Sequence, residues 1–154
     1  MRLIVETLIA APREVVFDLA RDVGAHLRSS RSTGERAVLP GKLTGFLGLG
    51  DLVTFEGVHF GVRQRLTAKI TECARPERFV DEQVRGIFKR FRHVHEFEAR
   101  PGGTLMRDTV EWTSPLGPLG SLADRLLVAR HLRSFLATKQ SALKALAETA
   151  RTVG

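Results

Sequence analysis

The spacing of apolar residues changes along this chain, and each change predicts a new element. Arg2 to Ile9 is rich in β-branched residues and predicts a first strand, which Ala11-Pro12 stops. Val15, Val16, Leu19 and Ala20 then follow Pro12 at helical spacing, predicting a short helix to about Arg21. Asp22 is placed to cap a second short helix over Val23–Ser29. A strand over Glu35–Leu39 lies between Thr33-Gly34 and Pro40-Gly41.

From Asp51 onward the pattern has a period of two. Val53, Phe55 and Gly57 share one face of the first such strand, and Phe60, Val62, Leu66, Ala68 and Ile70 share one face of the next, where Gln64 is the polar exception. The strand Phe79–Arg85 offers two faces, Phe79/Asp81/Gln83 or Val80/Glu82/Val84, and the pattern does not choose between them. Over Phe88–Ala99 the residues Phe91, His93, His95, Phe97 and Ala99 face together, and over Thr104–Thr113 so do Met106, Asp108, Val110 and Trp112. The period then lengthens. Leu119, Leu122, Leu126, Ala129, Leu132, Leu136, Leu143, Leu146 and Ala150 mark one face of a helix predicted from Leu116 to Thr152, a rod of roughly 48 Å from Leu119 to Ala150. The strands alone supply too little apolar surface to close a core. The expectation is therefore an α+β fold in which a curved antiparallel sheet of seven strands wraps around one long C-terminal helix, with two short helices after the first strand. At 154 residues the length fits one domain, residues 1–154.

Gly41–Asp51 interrupts the regular pattern with four glycines around Leu43, Phe46, Leu47 and Leu49. It lacks the GxxxxGK[ST] spacing of a phosphate loop. An apolar tip between glycines suits either a loop folded on itself or a lid over a cavity mouth, formed by Phe46, Leu47 and Leu49.

The formal net charge of +7 raises the question of an acidic partner. The arginines at 63, 65, 90, 92 and 107 alternate with Glu56, Glu82, Glu96, Glu98 and Glu111 on neighbouring strands, which predicts a solvated, cross-paired face. Exposed aromatics for base stacking are missing, so no specific nucleic-acid partner is expected. Cys73 is the only cysteine and cannot form an internal disulfide. With no signal pattern and no uninterrupted apolar span, the expected location is the cytoplasm, without stable membrane insertion.

The order of elements resembles the START-like superfamily called SRPBCC: polyketide cyclases, dehydrases and lipid-transfer proteins with a helix-grip fold. The nearest likeness is to bacterial SRPBCC proteins in Phe79-Val-Asp-Glu-Gln, Gly86-Ile-Phe, His93-Val-His95-Glu-Phe97, Gly103-Thr-Leu-Met-Arg-Asp108 and Ser114-Pro-Leu-Gly-Pro-Leu-Gly120. The resemblance implies a ligand cavity between sheet and long helix. It does not imply a reaction, since the superfamily holds binders, transporters and enzymes.

If the concave face carries Phe55, Val62, Gln64, Leu66, Phe79, Asp81, Gln83, Phe91, His93, His95, Phe97, Met106, Asp108, Val110 and Trp112, with Leu126 opposite, the cavity is apolar with a polar seam. His93, His95 and Asp108 are the candidates for chemistry. The imidazoles are either structural, satisfied by Asp108, Asp81 or Gln83, or they recognise ligand and move protons. His-x-His with Asp108 also suits a metal, but that spacing alone is weak, and no metal or other cofactor is expected. The leading expectation is binding or carriage of a small hydrophobic molecule, lipid, isoprenoid or polyketide-like. An enzyme of cyclase or dehydrase type using a cavity histidine as base is the alternative. A protein-interaction module docking through Phe46-Leu47 is the third reading. Oligomeric state is left open.

Overall fold

The computed structural model describes residues 1–153. Strand β1 (Arg2–Ile9) leads into α1 (Arg13–Ala20) and α2 (Val23–Ser29). The Asp22 side chain caps α2 by accepting from the Ala25 N–H at 2.8 Å. Six strands follow: β2 (Arg36–Val38), β3 (Leu52–His59), β4 (Val62–Ala74), β5 (Arg78–Arg85), β6 (Arg90–Arg100) and β7 (Gly103–Thr113). They form one antiparallel sheet in the order β1-β7-β6-β5-β4-β3-β2, so that β1 closes against β7 rather than β2. Register shifts in β4, after Thr67 and after Ile70, bend the sheet into a curl, because an extra residue on one strand increases its twist.

The helical C-terminal stretch lies across this curl, with α4 (Ala129–Val153) packed against β1, α1 and α2. Leu132, Leu136, Gln140, Leu143 and Ala147 recur at three- and four-residue steps and turn inward. The core around the two short helices is aromatic, with the Phe17 ring meeting Phe79 and Phe97 edge-on at 5.5 and 5.3 Å.

The start of the long helix departs from expectation. Instead of one uniform α-helix it is α3 (Gly117–Ala123), a π-helical turn (Asp124–Val128) and then α4. Leu119, Leu122 and Leu126 are 72%, 54% and 63% exposed, so they do not continue the inner face of α4. The cause is local. A π turn inserts one residue into the helical repeat and rotates the face before it. Buried Asp124 points inward instead, accepting at Oδ1 from the indole N–H of Trp112 at 2.8 Å and from the Ser114 hydroxyl. Gly120 lies so close to the Pro115 carbonyl that any Cβ there would overlap it, which leaves no room for a leucine on that side.

On the convex face Glu56 takes bonds from Arg36 at 2.5 Å, Arg63 at 3.0 Å and Arg65 at 2.6 Å, three guanidinium groups converging on one carboxylate. Their hydrogen bonds, led by that of Arg65, pull the Glu56 carboxyl down to about 2. Arg107 with Glu6 and Arg92 with Glu72 extend this pairing. Among the described residues, no helix is long and apolar enough to cross a membrane.

Candidate functional site

A cavity of about 160 Å³ lies between the curled sheet and α4. Its deep end is closed by Leu47, Val53, Ala68, Ile70 and Phe79, all buried. Its other end is bordered by Phe60 and Ile87, each about half exposed, with Phe88, Val128 and His131, and that end is the mouth.

Of the residues expected on the concave face, Phe55, Gln64, Leu66, Phe79, Asp81, Phe91, His93, His95 and Val110 line this cavity. For β5 this selects the Phe79/Asp81 face left undecided by its pattern. The others stand elsewhere. Val62 is 58% exposed at the tip of the β3-β4 hairpin, and Gln83 turns its amide to the Phe88 carbonyl at 2.7 Å. Phe97 and Met106 are packed into the core around Phe17. Trp112, held by Asp124, belongs to a second apolar cluster with Leu3, Val110 and Leu136 and is absent from the cavity wall. Leu126 is turned outward by the π turn.

The expected lid also divides. Leu47 is buried and closes the deep end, its N–H donating to the Arg21 carbonyl at 2.8 Å, while the Val23 N–H donates to the Gly45 carbonyl at 3.0 Å. Phe46 lies under the Arg21 guanidinium, 4.6 Å from the ring centre, and Leu49 is exposed. The loop is thus latched to the α1-α2 corner, at the end of the cavity away from the mouth.

Register brings the polar seam together. Asp81 lies opposite His93 across β5 and β6, and Asp108 opposite His95 across β6 and β7. His95 Nε2 is 2.9 Å from Asp81 Oδ2, and its Nδ1 is 2.7 Å from Asp108 Oδ1, which is also 3.2 Å from His93 Nε2. The contacts to Asp108 Oδ1 are close but not aligned for hydrogen bonds; its other oxygen accepts from Gln140 Nε2 at 2.6 Å. Asp108 itself faces a small adjoining cavity of about 20 Å³, not the main one.

Burial works to lower the His95 pKa, yet the two carboxylates, Asp108 first, raise it to about 9. Burial would raise Asp108 and Asp81, but the imidazoles outweigh it and hold both carboxyls below their usual range. His93 is lowered, by burial and then by the charge on His95. At neutral pH His95 is therefore a cation and a proton donor, and His93 is the neutral imidazole of the pair. Donor atoms of Asp81, His93 and His95 lie within 4.8 Å of one another, the set that could close on a metal ion.

A second polar band escaped the sequence reading. The chain has five histidines, and all of them line the cavity. His26 in α2 sits between Lys139 Nζ, 2.5 Å from its Nδ1, and Glu35 Oε2, 2.9 Å from its Nε2. Its ring stacks on Phe55 at 3.8 Å and 9°. Glu35 Oε1 is 3.8 Å from His59 Nε2, and His59 Nδ1 is 2.8 Å from His131 Nε2 near the mouth. Burial first, then the charge of Lys139, pushes His26 down to about 4. Glu35 is held well below the usual carboxylate range: burial would raise it, but the hydrogen bond from His26 prevails, with His59 close by. Signals for two of these residues were present. Lys139 falls between Leu136 and Leu143 at three- and four-residue steps, and His59 continues the alternation Val53, Phe55, Gly57. His26 sits in the short α2 and Glu35 in the turn before β2, neither with a usable period.

A curled seven-stranded sheet closed by a long helix, with a cavity between them, is a helix-grip fold. The sequence matches the family described as polyketide cyclase / dehydrase and lipid transport over residues 9–136, and the chain belongs to that family. Among solved structures it is similar to TTHA0849 of Thermus thermophilus, at 20% identity and TM-score 0.78, covering 97% of this chain and 99% of that one. Ms6760 of Mycobacterium smegmatis is similar at 17% identity and TM-score 0.72, over 97% and 92% of the two chains. Major latex-like protein 151 of Panax ginseng is similar at 14% identity and TM-score 0.68, over 96% and 97%. At these identities the likeness concerns the fold. None of the curated proteins matches the sequence.

Proposed function

We propose that this protein binds and carries a small, mainly hydrophobic molecule with one or more polar groups, a lipid, isoprenoid or polyketide-like compound. One observation carries the reading: the cavity between sheet and α4 has apolar walls at its deep end and along β3 and β4, and a band of paired histidines and carboxylates beside them. Apolar area holds such a ligand and a few placed polar groups orient it. About 160 Å³ of free volume corresponds to on the order of ten waters, which suits a ligand of roughly ten to twenty non-hydrogen atoms. The family description, which includes lipid transport, supports the same reading. We place residues 1–154 in one ligand-binding domain acting in the cytoplasm, with no specific nucleic-acid partner and no resident cofactor.

The test is native mass spectrometry of protein purified from its own host, paired with titration of a neutral apolar fluorophore. A co-purified small molecule displaced by the fluorophore is the expected result. Protein that carries nothing and shows no saturable binding would overturn the proposal.

A further inference from the structure

We infer that Lys139 is a nucleophilic amine that captures the carbonyl group of an aldehyde or ketone as an imine, with His26 as its proton acceptor and Glu35 as the positioning residue that orients His26. This rests on the reading that the cavity takes a small hydrophobic molecule.

Lysines number five in the chain, and Lys139 is the one that lines the cavity. Its position on α4 between Leu136 and Leu143 would ordinarily be filled by an apolar residue. Among the described residues no carboxylate oxygen lies within 4.0 Å of Nζ, so a direct ion pair does not account for it. Its near partner is an imidazole. With Glu35 accepting from Nε2–H, the His26 tautomer leaves Nδ1 as a lone-pair acceptor facing Nζ at 2.5 Å. The order carboxylate, imidazole, nucleophile is that of an activated nucleophile whose base is held by a third group. Stacking on Phe55 fixes the plane of the base.

The surrounding charges act in both directions. Burial lowers the Lys139 ammonium below its ordinary range, while Glu35 from the turn before β2, Asp108 on β7 and Asp81 on β5 oppose this and are outweighed. His95 on β6 adds a positive charge to the same cavity. An amine desolvated in an apolar site is a better nucleophile at neutral pH than one in water.

The reaction balances without an oxidant or reductant. The Nζ lone pair forms a bond to the carbonyl carbon as the C=O π pair moves to oxygen. One proton passes from nitrogen through His26 to that oxygen, giving a carbinolamine. A second nitrogen proton leaves by the same route as the C–O bond breaks, so that water departs and C=N remains. Hydrolysis reverses every step and releases the ligand, so capture adds a reversible covalent anchor to carriage. The ligand class this selects is a hydrophobic aldehyde or ketone.

The test is reductive trapping. The full chain is incubated with 2-naphthaldehyde and sodium cyanoborohydride, which reduces an imine to a stable secondary amine, and the adduct is located by peptide mass mapping. Binding of 2-naphthalenemethanol, which has no carbonyl, is titrated in parallel for every variant. The expected result is one adduct per chain, at Lys139, lost in Lys139→Gln. His26→Gln should trap about 10²-fold more slowly. Glu35→Gln should slow trapping by a larger factor than it weakens alcohol binding, a split between rate and affinity that a merely structural role would not produce. If the alcohol binds but the adduct is spread over Lys42, Lys69 and Lys89, or persists in Lys139→Gln, the inference is overturned and the functional reading stands. If neither alcohol nor aldehyde binds, the functional reading fails and the inference fails with it.

Discussion

Replacing Asp108 with Asn tests the electrostatics of the seam most directly, since it removes a charge and keeps the shape. Asp108 Oδ1 stands 2.7 Å from His95 Nδ1, where two unit charges at an effective dielectric of about 20 attract by roughly 6 kcal/mol. Desolvation of the carboxylate offsets part of this, and breaking a buried pair typically costs about 3–5 kcal/mol. Asp81 remains on His95, and the new amide oxygen still accepts from Gln140, so the low end applies: about 3 kcal/mol, or a melting temperature lower by about 6–12 °C for a chain of this size. The pH dependence separates this from simple loss of packing. His95 is raised from its ordinary value near 6.5 to about 9, so its contribution is fully present below pH 6.5 and is lost as pH rises toward 9. At about 1.36 kcal/mol for each tenfold change in acidity, that contribution is roughly 3 kcal/mol. Asp108, ionised throughout this range in folded and unfolded chains alike, adds no slope. Urea unfolding at pH 6, 7, 8 and 9 should therefore give a gap between wild type and Asp108→Asn that is widest at pH 6 and narrows by pH 9. A gap below about 1 kcal/mol, or one constant across the range, would refute the assignment of His95 as a cation held by Asp108.

Leu47→Ala should cost about 2–5 kcal/mol as a buried leucine, whereas half-exposed Phe46→Ser should cost less than about 1 kcal/mol, and thermal melts of the two single variants check this. Asp124→Ala leaves the indole N–H of Trp112 buried without its partner and should destabilise by about 1–3 kcal/mol in denaturant titration. Because Trp112 is walled off from the cavity, its emission should hardly change when an apolar ligand saturates the protein; a large shift in the spectrum would return it to the cavity wall. Nucleic acid should bind only weakly and with strong salt dependence, at about 10⁻⁴–10⁻⁶ M, and a submicromolar, sequence-selective complex in gel-shift titrations at physiological salt would contradict that.

How far the sequence disclosed the site depends on the kind of periodicity each residue rides on. A strand repeats every two residues, so Phe91, His93 and His95 reveal one another, and a curl of long strands reveals its own concave face. The pattern says which face, but not how far along the strand the cavity runs. Val62 and Trp112 therefore share a face with lining residues yet lie beyond its ends. The long helix was legible in its length and in the inner residues of α4, because Leu132, Leu136 and Leu143 obey one phase. It was illegible before Ala129, because a leucine stripe continued through Leu126, Leu122 and Leu119 in sequence while the π turn rotated it away from the sheet in space. No local rule signals that turn. What accompanies it is tertiary: the bond between Asp124 and Trp112 and the close approach of Gly120 to the Pro115 carbonyl. His26 and Glu35 were hidden for a related reason: their partnership depends on the α2 corner meeting the inner face of α4.

The density of charge in this cavity is itself an argument about its use. Asp108 is buried and Glu35 and Asp81 are largely covered, and neighbouring imidazoles hold all three below their usual range against the effect of burial. Replacing such a network by packed apolar side chains of similar volume is often neutral, or stabilising by about 1–4 kcal/mol, so stability alone does not call for it. A cavity meant only for hydrocarbon would need no polar wall. If the cavity holds the ligand proposed above, the apolar surfaces of Leu47, Ile70 and Phe79 at the deep end would take its hydrocarbon part and the two polar bands would face its oxygen atoms. His95 brings a positive charge to this wall, His93 lines it as the neutral imidazole, and Lys139 faces the cavity from the helix. On the proposed function, the ligand that suits these walls is an oxygenated, largely apolar molecule with its polar side toward β6 and α4.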